Sequence, residues 1–345
     1  MVSADPAASS APVAAVATAL TAPQTSASVV ICCYTQQRWA DLTDACAAVR
    51  DQVRPGDEVI VVVDHNDALL ARARQELDGV RVLANQGVRG LSEARNTGVR
   101  ASAGDIVVFL DDDAVPRAGW LERVRHAFTE RHVVVVGTSV APRWEGGAAP
   151  GWFPAEFGWV VGCSYRGLPT RRSPIRNPIG ASMAVRRSVF AAVGGFSDAV
   201  GRVGALPVGC EETEFCIRAA SRRPESRVVL EPDAYVDHFV PVARQTLSYF
   251  VRRCYHEGRS KRAVARLTTT QAALAAERRY VRAVLPAGVL RGIGGSVRHP
   301  RKFLQAGAIV VGLSATVTGY LSPRRPPPRP QPGAGPLGTD TPRGL

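Results

Sequence analysis

Apolar positions along this chain come in short, dense blocks separated by stretches with helical spacing. Ser28 to Tyr34, Asp57 to Asp64, Val80 to Ala84 and Asp105 to Leu110 each carry a run rich in valine and isoleucine. Runs of that length and composition predict buried strands. Between them, Ala40 to Asp51, Ala68 to Leu77 and Gly90 to Ala101 repeat apolar residues at three- and four-residue intervals, as helices do, with Ser92 a plausible N-cap of the third. Gly119 to Arg131 predicts a further helix and Val133 to Ser139 a further strand. Strands alternating with helices over short links imply an α/β fold, a mostly parallel sheet with helices on both faces. The alternation breaks from Ala141 to Pro178, where Trp144, Trp152, Phe153, Phe157, Trp159 and Tyr165 stand among many Gly and Pro residues. Such an excursion reads either as a wall or lid on an acceptor site or as a patch on the core. Gly180 to Val185 then predicts a return strand, residues 209 to about 220 a helix, and Tyr235 to Val240 an edge strand.

Polar residues at the strand ends change the picture. Ile106 to Leu110 runs straight into Asp111, Asp112 and Asp113. Burying three unpaired carboxylates is too costly, so the triplet is expected at the exposed carboxyl edge of the sheet, where α/β folds bind ligands. Asp111 and Asp113 suit a hard divalent ion, Mg²⁺ or Mn²⁺; the alternative is a solvated acidic turn. Parallel strands bring Tyr34-Thr35 and Asp64 to the same rim. Asp64 could accept from a nucleobase N–H or cap a helix. Arg95 could reach a diphosphate or make a surface ion pair. Glu211 and Glu212 open a helix, where acids also favour the dipole, and they point about 100° apart. His238 is a candidate metal or phosphate ligand.

Composition narrows the partners. The 345 residues carry a net charge of +13, with Arg dominating after Arg244. That charge invites anionic lipid, phosphorylated ligands or nucleic acid, and the acids clustered at several element ends disfavour nucleic acid. Seven cysteines without a C-x-x-C pair argue against zinc and for reduced thiols in a cytosolic catalytic part. Residues 1–27 and 323–345 read as Ala/Pro-rich and Pro-rich disordered tails. Residues 28–243 form the α/β unit and 244–322 a basic helical region. There Arg252 and Arg253 could grip a diphosphate. Phe303 to Ser322 is uncharged between Arg301-Lys302 and Arg324-Arg325. It reads as a hairpin or interfacial helix lying against a membrane, with a spanning or an ordinary buried helix as alternatives.

The order of motifs resembles the inverting family 2 glycosyltransferases of GT-A fold, over roughly Ser28 to Lys261. The likeness rests on Val-Ile-Cys-Cys-Tyr-Thr, Val-Val-Val-Asp64, Gly90-Leu-Ser-Glu-Ala-Arg-Asn-Thr-Gly98, Phe109-Leu-Asp-Asp-Asp-Ala-Val-Pro116, Gly180-Ala-Ser-Met-Ala-Val-Arg-Arg187 and Gly-Cys-Glu-Glu-Thr-Glu214. The resemblance implies that Thr35 and Asp64 touch a nucleoside. It implies that Asp111 and Asp113, with Asp112 beside them, hold a divalent cation and the diphosphate of a nucleotide-sugar. It implies a catalytic base at Glu212, a place usually preceded by Glu and occupied by Asp, so Glu211 and Glu212 both stay candidates. His238 falls where many relatives carry a metal-side histidine. The expectation is sugar transfer from a nucleotide-sugar to a glycan or polyprenyl-linked acceptor, at the cytoplasmic face of the cell membrane, in cell-envelope glycan synthesis. A sugar-phosphate nucleotidyltransferase would need a Gly-rich phosphate loop where Thr35-Gln36-Gln37-Arg38 stands. A non-catalytic basic protein on membrane or nucleic acid would leave the acids unexplained.

Overall fold

A computed structural model describes residues 25–197, 211–267, 278–297 and 299–322. Both predicted tails fall almost wholly outside these residues, as do Gly209 and Cys210. The strands are β1 (Ala27–Cys33), β2 (Glu58–Asp64), β3 (Arg81–Asn85), β4 (Ile106–Asp111), β5 (Ala114–Pro116), β6 (Val133–Trp144), β7 (Ser173–Pro174), β8 (Ser182–Arg186) and β9 (Arg227–Val240). The helices are α1 (Trp39–Arg50), α2 (Asp67–Glu76), α3 (Leu91–Ala101), α4 (Trp120–Ala127), α5 (Arg187–Val193), α6 (Glu211–Arg222), α7 (Leu247–Leu267), α8 (Leu285–Gly295) and α9 (Arg301–Leu321).

One mixed sheet runs in the order β3-β2-β1-β4-β8-β6-β9-β5, with β7 also paired to β9. Its first four strands are parallel, as the alternation predicts. β8 returns antiparallel to β4, and β6 and β9 pair parallel beyond it. Side chains alternate across a strand. Val29, Ile31, Val61 and Val108 therefore face one core with α1 and α4, while Val30, Ile60, Val107 and Phe109 face the other with α5 and α6. Strands buried on both faces read as continuous apolar runs, which is why these were legible.

Several boundaries and roles move. The third helix is capped by Gly90, whose φ of 144° suits glycine, and Ser92 is buried in the first turn. Asn66, not Asp64, caps α2, accepting from the Leu69 N–H at 3.0 Å. β6 extends through Trp144, beyond its expected end at Ser139. β9 is longer than the expected Tyr235–Val240 and is no edge strand: β6 flanks it on one side and β5 and β7 on the other.

The aromatic excursion does both things its sequence left open. Phe153 and Phe157 are buried and stack against Phe250 of α7 with ring centroids 5.9 and 5.2 Å apart. Trp159 and Tyr165 line a cavity. The C-terminal helical region docks on the same excursion: Arg291 of α8 reaches the buried Glu156 carboxylate at 2.6 Å, Gln305 of α9 donates to the Gly151 carbonyl at 3.1 Å, and the hydroxyl of Tyr280, just before α8, donates to the Glu156 carbonyl at 2.7 Å. Small residues let the backbones close up. A Cβ on Gly319 would lie 1.9 Å from the Tyr255 carbonyl oxygen, and one on Gly258 2.0 Å from that of Thr316.

Candidate active site

The acidic triplet is assembled by strand register. Cys32 of β1 sits beside Asp111 at the carboxyl end of β4, and the Asp111 N–H donates to Ala181 O at 3.0 Å. Two residues later the chain pairs with β9, which sets Ala114 opposite His238; the Phe239 N–H donates to Asp113 O at 2.8 Å. That pairing carries His238 to the triplet. One ligand atom from each of Asp111, Asp113 and His238 lies within 4.8 Å of the others.

The expectation of an exposed triplet is corrected. Asp111 is half-buried, and Asp112 and Asp113 are only 4% and 2% exposed. Cations make this burial tolerable. Arg38 meets Asp112 at 2.7 Å and Asp113 at 3.1 Å; His238 Nε2 lies 3.1 Å from Asp113 Oδ1, and Arg244 3.9 Å from Oδ2. Burial pushes Asp112 upward, against the pull of Arg38. Burial acts on Asp113 too, but His238, Arg38 and Arg244 outweigh it and hold this carboxyl well below the usual range. His238 is raised to about 10, because the attraction of Asp113 exceeds the cost of burying the imidazolium.

These residues fit a divalent cation. Two carboxylates and an imidazole form an O,O,N donor set that suits Mn²⁺ or Mg²⁺. Asp112 Oδ2 is buried without a hydrogen-bond partner among the described residues, and Asp113 Oδ1 meets His238 Nε2 at 3.1 Å, a contact between two of the candidate ligands themselves, so acceptor capacity is left over beside the place an ion would take. The second ring nitrogen of His238 lies 3.7 Å from Cys163 Sγ, a contact that holds the imidazole plane.

Arg95 organises the neighbouring wall. It is buried, not the surface pair that a lone arginine suggests. It binds Glu211 at 3.1 Å and Gly180 O at 2.9 Å, and approaches Asp111 at 3.5 Å. Glu211 is thereby committed to an ion pair. Glu212 faces a cavity of about 600 Å³ that Asp111, Arg95, His238 and Glu211 also line. Burial, then the charge of Glu211, pushes Glu212 up to about 8. A smaller cavity, about 60 Å³, lies across Asp111 and Leu91, walled by Tyr34, Arg38, Asp64 and Asp112. Asp64 accepts there from Asn85 Nδ2 at 2.7 Å and from the Gly90 N–H at 3.0 Å, pinning the loop before α3.

Asp64, Asp111, Asp112, Arg95, Glu211, Glu212, His238 and Arg253 thus line one or both cavities, which meet at Asp111. Asp113 is buried behind them, with its carboxylate beside His238. Thr35 lines neither cavity; its hydroxyl accepts from the Gln37 N–H and caps the turn after β1. Arg252 is a correction: adjacent positions on α7 diverge by about 100°, so Arg253 faces the cavity while Arg252 is exposed over Tyr249. The sequence also hid Arg38, Arg89, Arg244, Glu257 and Lys261, all cavity-lining, because no local pattern marks an isolated charged residue as site-facing.

The model of glycosyl transferase family 2 matches residues 28–194. A glucosyl-dolichyl phosphate glucuronosyltransferase of Haloferax volcanii is 33% identical over 239 residues, covering 68% of this chain and 76% of that protein. The chain belongs to glycosyl transferase family 2. A pre-mycofactocin glycosyltransferase of Mycobacterium tuberculosis is 26% identical over 203 residues, 58% of this chain and 41% of that protein. Among solved structures, a mannosyltransferase of Pyrobaculum calidifontis in complex with GDP-Man and Mn²⁺ superposes with a TM-score of 0.52 at 18% identity, over 84% of this chain and 86% of that one. At that identity the likeness is one of fold, and it agrees with the GT-A arrangement of the family 2 chain described above.

Proposed function

We propose that this family 2 enzyme transfers a sugar, with inversion, from a nucleotide-sugar to a lipid-linked acceptor in cell-envelope glycan synthesis, assisted by a divalent cation. One observation carries the reading: Asp111, Asp113 and His238 converge to a few ångströms, and a free-facing carboxylate, Glu212, lines the same cavity. Asp111, Asp113 and His238 would hold the ion, which when bound supplies Lewis-acid stabilisation of charge on a leaving diphosphate.

The remaining roles follow from placement. The nucleoside would sit in the smaller cavity beside Tyr34 and Asp64, with Thr35 next to Tyr34 in the chain. Arg38 and Arg244 would offset diphosphate charge at its boundary. Glu211 is engaged by Arg95, so it orients that guanidinium. Glu212 takes the proton from the acceptor hydroxyl, since its raised pKa makes it a stronger base than an ordinary carboxylate. A single displacement with base and leaving group on opposite faces of the sugar inverts the anomeric carbon.

A lipid-linked acceptor is supported by the Haloferax relative, whose name specifies a dolichyl phosphate. It is supported also by α9, the one helix among the described residues long and apolar enough to cross a membrane. Its Phe303, Leu304, Val310, Val311, Val317 and Leu321 are exposed along one face. The opposite face packs on α7 and α8. A spanning α9 would drag the charged α7 into lipid, so the helix lies along the interface.

The test is a thermal-shift screen of nucleoside diphosphates with and without Mn²⁺. One nucleotide should stabilise the protein, and only with metal present. Equal stabilisation by every nucleotide without metal would remove the donor reading.

A further inference from the structure

Each acid of the triplet is met by a cation of the chain itself. Arg95 lies 3.5 Å from Asp111, His238 Nε2 3.1 Å from Asp113 Oδ1, and Arg244 3.9 Å from Asp113 Oδ2. Arg38 stands apart from these because it bridges. One nitrogen, Nη1, lies 2.7 Å from Asp112 Oδ1 and 3.1 Å from Asp113 Oδ2, so a single positive group joins two successive carboxylates.

Local structure puts it there. Thr35 caps the short turn Gln36–Arg38, and α1 begins at the next residue. The backbone of Arg38 is thus fixed from behind, while its long side chain remains half-buried. That side chain lines the smaller cavity together with Tyr34 and Asp64, its guanidinium carbon 5.8 Å from the Tyr34 ring centroid. The same group therefore faces both the acids and the space proposed for the nucleotide.

Two consequences follow from charge alone. A divalent ion arriving on Asp113 by itself would compete with Arg38 for one carboxylate, and two like charges repel strongly in a buried site. Arg38 cannot simply leave, because Asp112 has one oxygen already without a hydrogen-bond partner among the described residues, and stripping its cation would strand a buried charge. A diphosphate in the cavity relieves both difficulties. It offers the guanidinium the paired oxygens that arginine binds best, and the ion then takes over the carboxylates.

We propose that Arg38 is a coupling residue: it holds the acidic triplet against free cation and releases it when a nucleoside diphosphate arrives, so that ion and nucleotide each raise the other's affinity. The inference rests on the glycosyltransferase reading and assigns a regulation to that site. The enhancement is the same in both directions, as linkage requires. Direct contact between ion and phosphate would also couple the two. Only the role given to Arg38 makes its loss tighten the ion's own binding.

Mn²⁺ binding to the full chain is titrated by electron paramagnetic resonance, alone and with whichever of UDP, GDP, ADP and dTDP binds the wild type most tightly. Saturating nucleotide should tighten wild-type Mn²⁺ binding about tenfold or more. In Arg38→Met, Mn²⁺ alone should bind about fivefold more tightly than to the wild type, and the enhancement by nucleotide should shrink to about threefold or less. Arg38→Lys, which keeps the charge, should stay near the wild type. Circular dichroism and melting check the fold; if Arg38→Met melts early, Arg38→Gln takes its place with the same expectation. A damaged site would bind Mn²⁺ less well, so the sign of the change separates a lost gate from a lost fold. Unchanged or weaker Mn²⁺ binding in the folded variant, or an undiminished enhancement, overturns the role of Arg38 and leaves the glycosyltransferase reading standing. Failure of all four nucleotides to bind the wild type with Mn²⁺ would bring down that reading itself.

Discussion

At the residue scale, the site works by dividing labour between neighbouring acids. Glu211 is paired to Arg95 and Glu212 is not, though the two are adjacent on α6. Glu212→Gln should therefore stop transfer while keeping nucleotide affinity, a loss of about 10²–10⁴ in rate for a positioned base. Glu211→Gln should act through Arg95 and lower the rate less. The pH profile follows in sign. The base must be ionised, and burial raises its pKa, so below about 8 the wild-type rate should climb with pH, nearly tenfold per unit, and level off above it. A flat profile from pH 6 to 9 would place the base elsewhere. Asp113→Ala should abolish Mn²⁺ binding in a titration followed by electron paramagnetic resonance, with the fold intact. Cys163→Ala frees the His238 ring that its sulfur orients, and should weaken Mn²⁺ about tenfold, as losses of outer contacts to metal ligands do.

At the element scale, the sheet is the legible part and the helical region the less legible one. Strands β1, β2 and β4 announce themselves because both their faces are buried, leaving no polar alternation to confuse them. His238 was visible as a residue but misplaced on an edge, because the pairing of β9 with β5 joins Ala114 to His238, far apart in the chain, and leaves no local trace. The short strand β7 escaped for the same reason: its pairing with β9 is long-range. In the helical region the glycines carry information that periodicity does not. Gly319→Val would drive a side chain into the Tyr255 carbonyl, separating α9 from α7. Overpacking of this kind costs about 1–3 kcal/mol, so the melting temperature should fall, and α9 should become the first segment cut in limited proteolysis.

At the scale of the whole molecule, charge and apolarity gather on different elements. The acids gather at the sheet's carboxyl edge, while exposed apolar side chains collect on α8 and α9, with Arg301 and Lys302 beside them. The acidic rim could be read from strand ends, whereas the burial of Asp112 and Asp113 could not, since their partners Arg38 and Arg244 carry no motif. For the membrane reading, the protein should sediment with vesicles containing phosphatidylglycerol, more weakly at high salt. The double change Val310→Glu and Val317→Glu, both on the outward face, should cut that binding about tenfold or more without lowering the melting temperature. Wild-type binding by the double variant would mean that this face never meets lipid.

The meeting of β5 with β9 has one more consequence. Asp111 and Asp113 are made early in the chain and His238 late, so an ion gripped by all three would tie the first half of the sheet to its last long strand. Such a clasp limits how far that strand can peel away, and its gain grows with the length of chain it encloses. Amide protons of β9 should then exchange with solvent more slowly when Mn²⁺ is added, while those of β2 and β3, outside the clasp, keep their rates.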